Sequence, residues 1–266
     1  MKEFPIFQVD AFASERFKGN PAAVIPLQEW LPDHLMQQIA LENNLSETVF
    51  FVPMPGTDAD FHIRWFTPLV EINLCGHATL AAAFVLYNHL NYENEALIFK
   101  SQSGLLKVHR KDELIWMDFP RWQPERMQDG YENIITALGI NEVLGVYRNR
   151  DVIVELVDEK SVLDCKPDFT ALKKTGANVI VTSPGTGDID FVSRFFGPAV
   201  GVDEDPVTGS AHAQLIPFWR EKLGKETLQA RQLSARGGDL VCIDHSNRVM
   251  IGGQCVLFMR GVIMID

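Results

Sequence analysis

The sequence predicts an α+β fold of two similar lobes, each a curled, mostly antiparallel sheet around one central helix. Three observations predict it. First, FHIRWFTPLVEINLCGHATLAAAFVL (61 to 86) can be written over FVSRFFGPAVGVDEDPVTGSAHAQLI (191 to 216) without a gap, at an offset of 130. Phe61, Arg64, Phe66, Pro68, Val70, Ala81 and Ala83 then meet the same residue type. Second, both halves repeat one order of strand and helix signals. Third, each half holds one Ala- and Leu-rich helix that is apolar nearly all round, and such a helix is stable only when other structure wraps it.

The elements follow in order. In each half a strand (NPAAVI; DVIVEL) leads to a Pro-Asp helix start, Pro32-Asp33 and Pro167-Asp168. Proline at a first turn loses no needed donor, and aspartate there suits the helix dipole. A second strand (TVFFV; NVIVT) runs into a PGT turn, then an alternating strand (FHIRWF; FVSRFF), a loop, and the apolar helix (ATLAAAFVLY; GSAHAQLIPFW). Strand signals resume at LIFKS, LLKVHR and LIWMDF in the first half, and at LQARQL, DLVCID and RVMIG in the second. FPRWQPERMQDG, 119 to 130, carries two prolines and a glycine and reads as the linker, giving lobes of 1 to 122 and 123 to 266. The last strand, 254 to 266, lies beyond the part of the second half that repeats the first, and is free to pair back with the first lobe.

Composition bounds the function. The 266 residues are 46% hydrophobic and carry a formal charge of -11, which argues against a surface that tracks phosphates and so against a nucleic-acid partner. MKEFPIFQVDAF has no basic-then-apolar leader and no later run is long enough for a membrane helix, so a soluble, cytoplasmic protein without a membrane partner is expected. Four cysteines without CxxC spacing fit reduced thiols. GxGxxG, GxxxxGK[ST] and GxSxG are all missing, which removes the usual signals for dinucleotides, nucleoside triphosphates and serine hydrolysis.

The residues that carry chemistry gather at the starts of the two apolar helices. At the gapless offset Cys75 lies over Asp205, so each is expected just ahead of its helix. Two such starts, if they faced each other across an interlobe cleft, would cradle a carboxylate or a developing enolate with backbone N–H groups. Gly76 and Gly209 allow close approach and Ser210 adds a hydroxyl. Ordinary capping by Asp203 or Asp205, with local bonds from Thr208 and Ser210, is the competing reading. Glu47 opens the apolar strand of NLSETVFFVP, where burial disfavours a charged carboxyl unless the residue is solvated at the strand end. His77 at a helix start is expected to be neutral, because the dipole disfavours imidazolium. Asp205 is placed to orient His77 or to bond a substrate amine or hydroxyl. Cys75-x-His77 offers two metal ligands, too few for a site, so no metal is expected.

FQVDAF, FKGNPAAV, NLSETVFF, IRWFTP, NLCGHATLAAA and EDPVTGSA occur in that order. Through them the chain resembles, essentially end to end, the phenazine-biosynthesis PhzF-like family, relatives of diaminopimelate epimerase. The resemblance implies a diaminopimelate epimerase-like fold, often a homodimer, with a cofactor-independent isomerase site for a small carboxylate-bearing metabolite. It implies Glu47 as the proton-shuttling catalytic residue with His77 and Asp205 in support, and Asn20, Gly76, Gly209 and Ser210 as substrate-binding residues. The epimerase relatives use two cysteines, one at each helix start; here Cys75 stands at the first, and the second falls within Asp-Pro-Val-Thr, which has no thiol. A racemase or epimerase using Cys75, and a binding protein for small anions without turnover, are the alternatives.

Overall fold

A computed structural model describes residues 1–265. The chain forms two compact units, Met1–Asp118 with the segment from Gly252 onward, and Phe119–Ile251. Among the described residues no helix is long and apolar enough to cross a membrane.

The first unit runs β1 (Lys2–Ala11), β2 (Asn20–Pro26), α1 (Asp33–Asn43), β3 (Glu47–Pro53), β4 (Phe61–Phe66), β5 (Glu71–Ile72), α2 (Gly76–His89), β6 (Ala96–Ser101), β7 (Gly104–Lys111) and β8 (Leu114–Pro120). The second runs β9 (Glu125–Arg126), α3 (Glu132–Leu138), β10 (Gly145–Arg148), β11 (Val152–Glu155), α4 (Glu159–Asp164), α5 (Phe169–Lys174), β12 (Val179–Pro184), β13 (Phe191–Gly197), β14 (Val202–Asp205), α6 (Gly209–Leu223), β15 (Thr227–Gln232), β16 (Gly238–His245) and β17 (Arg248–Gly253). Strand β18 (Cys255–Ile265) then pairs antiparallel along the whole of β1. The linker read from its prolines is partly ordered: its first two residues finish β8, and β9 pairs with β10.

Strand pairing follows one scheme in both units. β1 is antiparallel to β2, β2 parallel to β3, β3 antiparallel to β4, and β4 antiparallel to β5 and parallel to β6. In the second unit β10, β11, β12, β13, β14 and β15 stand in the same relations. Each sheet is thus antiparallel apart from two parallel pairings. A further matched detail is a half-buried ion pair: Arg64 Nε and Nη2 each donate at 2.7 Å to Glu71, and Arg194 does the same to Glu204 at 2.7 and 3.0 Å. Each guanidinium also lies over the phenylalanine two residues on, Phe66 or Phe196. A two-pronged Arg–carboxylate bond fixes direction as well as distance, so it clamps one short strand onto its neighbour.

These clamps correct the gapless alignment. Glu71 follows Arg64 by seven residues, whereas Glu204 follows Arg194 by ten. Three extra residues enter the second unit where β14 is longer than β5, so the offset of 130 at the strands has become 133 at the helices, from Gly76 to Gly209. The counterpart of Cys75 is accordingly Thr208, the N-cap residue of α6, and Asp205 ends β14 ahead of that helix.

Helix α2 is buried almost whole, with Ala78, Leu80, Ala81, Ala82, Ala83 and Val85 fully covered, and it packs on β1, β2 and β3. Alanine lets sheet strands approach the helix axis closely, and no polar face remains to be solvated. The turn into β2 depends on Gly19. It adopts φ +67°, and a Cβ there would stand 2.2 Å from the Ala11 carbonyl oxygen. Only glycine can make that approach while setting Asn20 opposite Ala11 at the start of β2. Gly19→Ala is therefore expected to destabilise the fold by more than about 1 kcal/mol, read as a lowered urea midpoint with an unchanged slope; an unaltered midpoint would show that the turn adapts.

Candidate active site

Parallel pairing sets Ala22 opposite Glu47, so the first residues of β2 and β3, Asn20 and Glu47, open at the same rim of the sheet. The first turn of α2 lies over that rim. Cys75 is the N-cap residue in extended conformation, Gly76 begins the helix, and His77 follows. His77 Nε2 is 2.9 Å from Glu47 Oε2, Asn20 Nδ2 is 3.1 Å from His77 Nδ1, and Cys75 Sγ is 3.5 Å from that same Nδ1. All four side chains are buried or nearly so: Asn20 is 0% exposed, His77 4%, Cys75 6%, and the Glu47 side chain 13%.

Two features of this cluster are unusual for a protein interior. Nε2 and Oε2 are in contact yet out of line for a hydrogen bond, and neither has another hydrogen-bond partner among the described residues. Buried polar atoms normally find partners, so a pair left facing each other unaligned marks stored polar capacity. The residual exposure of Glu47 belongs to atoms other than the buried Oε2. The α2 start also has no side-chain cap among the described residues, whereas α4 and α5 are capped by Asp158 and Asp168. Of its first amides, that of Ala78 bears on the Cys75 sulfur, and those of Gly76 and His77 precede it at the rim.

The electrostatics follow from this geometry. Burial is the largest influence on His77 and opposes its charged form, but the neighbouring Cys75 and Glu47 outweigh it and raise the ring's proton affinity well above the usual histidine value. Burial also pushes the Cys75 thiol up to about 11, with Glu47 adding to the effect. At neutral pH the sulfur thus keeps its hydrogen and brings no full charge to the ring, leaving Glu47 as the group that favours imidazolium. Against the neutral His77 expected from the helix dipole, the Glu47 carboxyl in contact with the ring favours the charged form.

In the second unit, α6 begins at Gly209 and Ser210 after Thr208, again with an extended N-cap residue and no side-chain cap among the described residues. The N-cap residue is Thr208, not Asp203 or Asp205. Asp205 instead accepts a hydrogen bond from the Thr208 hydroxyl. Gln232 ties the connection down, donating at 2.7 Å to the Asp205 carbonyl and accepting at 2.9 Å from the Thr208 amide. One turn on, His212 Nδ1 bonds the Thr208 carbonyl at 2.9 Å, and burial lowers its proton affinity to about 4, with that carbonyl pulling the other way. The ring is neutral, and Nδ1–H is the donor.

The structure therefore gathers Asn20, Glu47, Gly76 and His77 at one helix start, and Asp205, Gly209 and Ser210 at the equivalent start of the other unit. Asn20, expected to bind substrate, is fully buried with its amide turned to His77. Glu47 also supplies what the Cys75-x-His77 spacing lacked, since ligand atoms of Glu47, Cys75 and His77 all lie within 4.8 Å of one another, a set that could hold a cation. Gln232 escaped sequence reading. Its one signal is its phase, because Leu228, Ala230 and Gln232 are the buried residues of β15 and only glutamine among them is polar.

A family model described as phenazine biosynthesis-like protein matches residues 9–261. An uncharacterized isomerase of Pseudomonas aeruginosa is 48% identical over 261 residues, covering 98% of this chain and 99% of its own. The crystal structure of a phenazine biosynthesis protein of the PhzF family from Enterococcus faecalis superposes with a TM-score of 0.94 at 49% identity, covering 99% and 100% of the two chains. A hydroxyproline epimerase from Agrobacterium vitis shares the fold, with a TM-score of 0.64 at 10% identity and coverage of 98% and 92%.

The Glu47–His77 pair makes stability depend on pH. A histidine whose proton affinity is raised by folding adds stability that is fully present below its unfolded value of 6.5 and is lost as pH rises through the higher folded value. The stability difference between the native chain and Glu47→Gln should thus be greatest at mildly acid pH and shrink toward alkaline pH, each tenfold tightening of proton binding being worth about 1.4 kcal/mol. Urea titrations between about pH 5 and pH 9 measure it; a difference that is flat with pH would mean His77 is not charged through Glu47.

Proposed function

We propose a cofactor-independent proton-shuttling isomerase working through Glu47, from the premise that this chain belongs to the phenazine biosynthesis-like family and is an isomerase. The observation that carries the reading is the carboxyl of Glu47 against His77, with Oε2 held inward on the ring and the residual exposure on other atoms. A base so placed removes an activated C–H proton beside a carboxylate, the electron pair spreads into the conjugated frame, and the same carboxyl returns the proton to another carbon. His77, in contact with Oε2, orients the carboxyl between turnovers. The uncapped starts at Gly76 and at Gly209-Ser210 supply fixed N–H donors for the substrate carboxylate or the charge that develops. Asp205, braced by Thr208 and Gln232, acts as a substrate contact. The substrate is a small carboxylate-bearing metabolite, and the homodimer implied by the resemblance is checked by sedimentation equilibrium.

Racemisation through Cys75 is the weaker reading. Its thiol is covered and pushed up to about 11, which leaves little thiolate at neutral pH, and the matching N-cap residue of the second unit is Thr208.

Incubating the protein with a panel of unsaturated and amino carboxylates in deuterated water, and reading label incorporation by mass spectrometry, tests the proposal across substrate classes at once. The native chain should wash deuterium into its substrate class. Glu47→Gln should lose roughly 10²-fold or more of that exchange while still binding ligand, Asp205→Asn should weaken binding more than exchange, and Cys75→Ala should retain most activity. Full exchange by Glu47→Gln, or complete loss in Cys75→Ala with the fold intact, would defeat the assignment.

A further inference from the structure

Gln232 is fully buried and makes two bonds whose direction is fixed by the chemistry of its partners. Its Oε1 accepts from the Thr208 amide at 2.9 Å and its Nε2 donates to the Asp205 carbonyl at 2.7 Å. A backbone N–H only donates and a carbonyl only accepts, so a half-turn of this side-chain amide would break both bonds at once. Nε2 also stands 3.4 Å from the Thr208 hydroxyl oxygen, and that hydroxyl gives its own hydrogen to Asp205 Oδ2. The backbone beneath is held as well. Gln232 lies opposite Ser193 in the parallel pairing of β15 with β13, and the next amide, that of Leu233, donates at 2.7 Å to the Ser193 carbonyl.

The first unit shows what has been added here. β6 pairs with β4 as β15 pairs with β13, and Phe61 faces Phe99 where Phe191 faces Ala230, so the counterpart of Gln232 is Ser101. Ser101 turns its hydroxyl to its own hairpin, donating to the Gly104 carbonyl and accepting from the Ser103 amide. A different tie is common to both units. Ser103 donates at 2.9 Å to the Asn73 carbonyl and Ser234 at 2.7 Å to the Pro206 carbonyl, each three residues ahead of the first residue of the apolar helix. The serine tie is shared, and the glutamine is the addition of the second unit. That unit also carries Asp205, where the first has Ile72.

We propose that Gln232 is a positioning residue for substrate binding: it locks the segment from Asp205 to Thr208, so that the Asp205 carboxyl and the amides of Gly209 and Ser210 stand ready as one surface. The benefit to binding rests on the reading of Asp205 as a substrate contact, but the lock itself does not. Asp205 and Ser210 are half-buried while Gln232 is covered, so the glutamine acts through the segment. A segment ordered before its ligand arrives loses less freedom on binding, which places the effect in affinity.

Nitrogen-15 relaxation dispersion in the ligand-free native chain, Gln232→Met and Gln232→Ser measures the lock without any substrate. Methionine keeps the length and removes both bonds, and serine installs the residue of the first unit. In the native chain the amides of Asp205, Val207 and Gly209 should be as rigid as those of Leu215 and Ile216 within α6. In both variants the first three should gain microsecond-to-millisecond motion while the helix stays as it was. A segment as rigid in the variants as in the native chain would overturn the proposal. The second arm is the concentration dependence of deuterium uptake, using the carboxylate of the panel that the native chain labels fastest. KM should rise roughly tenfold or more in Gln232→Met with kcat little changed, and most of that rise should disappear when Asp205→Asn is already present. A loss in kcat alone, or an effect that simply adds to that of Asp205→Asn, marks a structural role and also overturns it. If the segment loosens as stated while Asp205→Asn leaves KM unchanged, the lock stands and the reading of Asp205 as a substrate contact falls.

Discussion

The constraint on which the rest of the molecule depends is that α2 has no polar face. A helix of Ala, Leu and Val on every side gains stability only by complete enclosure, so strands must be laid around it, and alanine lets them come close. Enclosure has a second effect at the end of the helix. Its first amides cannot be left to bulk water, and the N-cap residue Cys75 offers them only a sulfur. Hydrogen-bonding capacity is thus concentrated at one rim of the sheet, where β2 and β3 also begin. The same holds for α6 in the second unit, where Gly209 and Ala211 through Trp219 are buried.

At that rim the chain tolerates a local arrangement that would weaken an ordinary core. A carboxylate and an imidazole are taken out of water and left in contact but misaligned. Desolvating an ion pair is costly unless its geometry is good. The ring is caught between burial, which opposes its charge, and Glu47, which promotes it, and the contact wins.

Much of the fold was legible because it is written in patterns that packing enforces. The run ATLAAAFVLY cannot be anything but buried, the alternation in FHIRWF fixes a half-covered strand, and both halves carry these signals in the same order. Short elements were not legible: β5, β9 and β14 have between two and four residues, too few for a period to emerge, and their positions are set by partners such as Glu71 and Glu204. The site was legible in its residue types but not in its contacts. Glu47, Cys75 and His77 stand out in the sequence; that Glu47 charges the ring, and that Asn20 faces Nδ1, depend on the parallel register of β2 and β3, which a single chain does not announce. The gapless alignment misplaced Cys75 against Asp205 because identities at Arg64 and Phe66 fix the strands alone, and the three added residues lie where sequence likeness has faded.

The two arginine clamps carry a consequence for how such a chain can change. Both units have kept the clamp, with its phenylalanine beneath, while the segment between clamp and helix has been rewritten: Ile72-Asn73-Leu74-Cys75 in one, Asp205-Pro206-Val207-Thr208 in the other. That segment is bounded by a clamped strand on one side and a buried helix on the other. Each half has thereby become a specialist, and the chain has lost the freedom of its own ancestry. Two copies of the first half would carry two Glu47–His77 pairs, yet would have Ile72 in the place of Asp205.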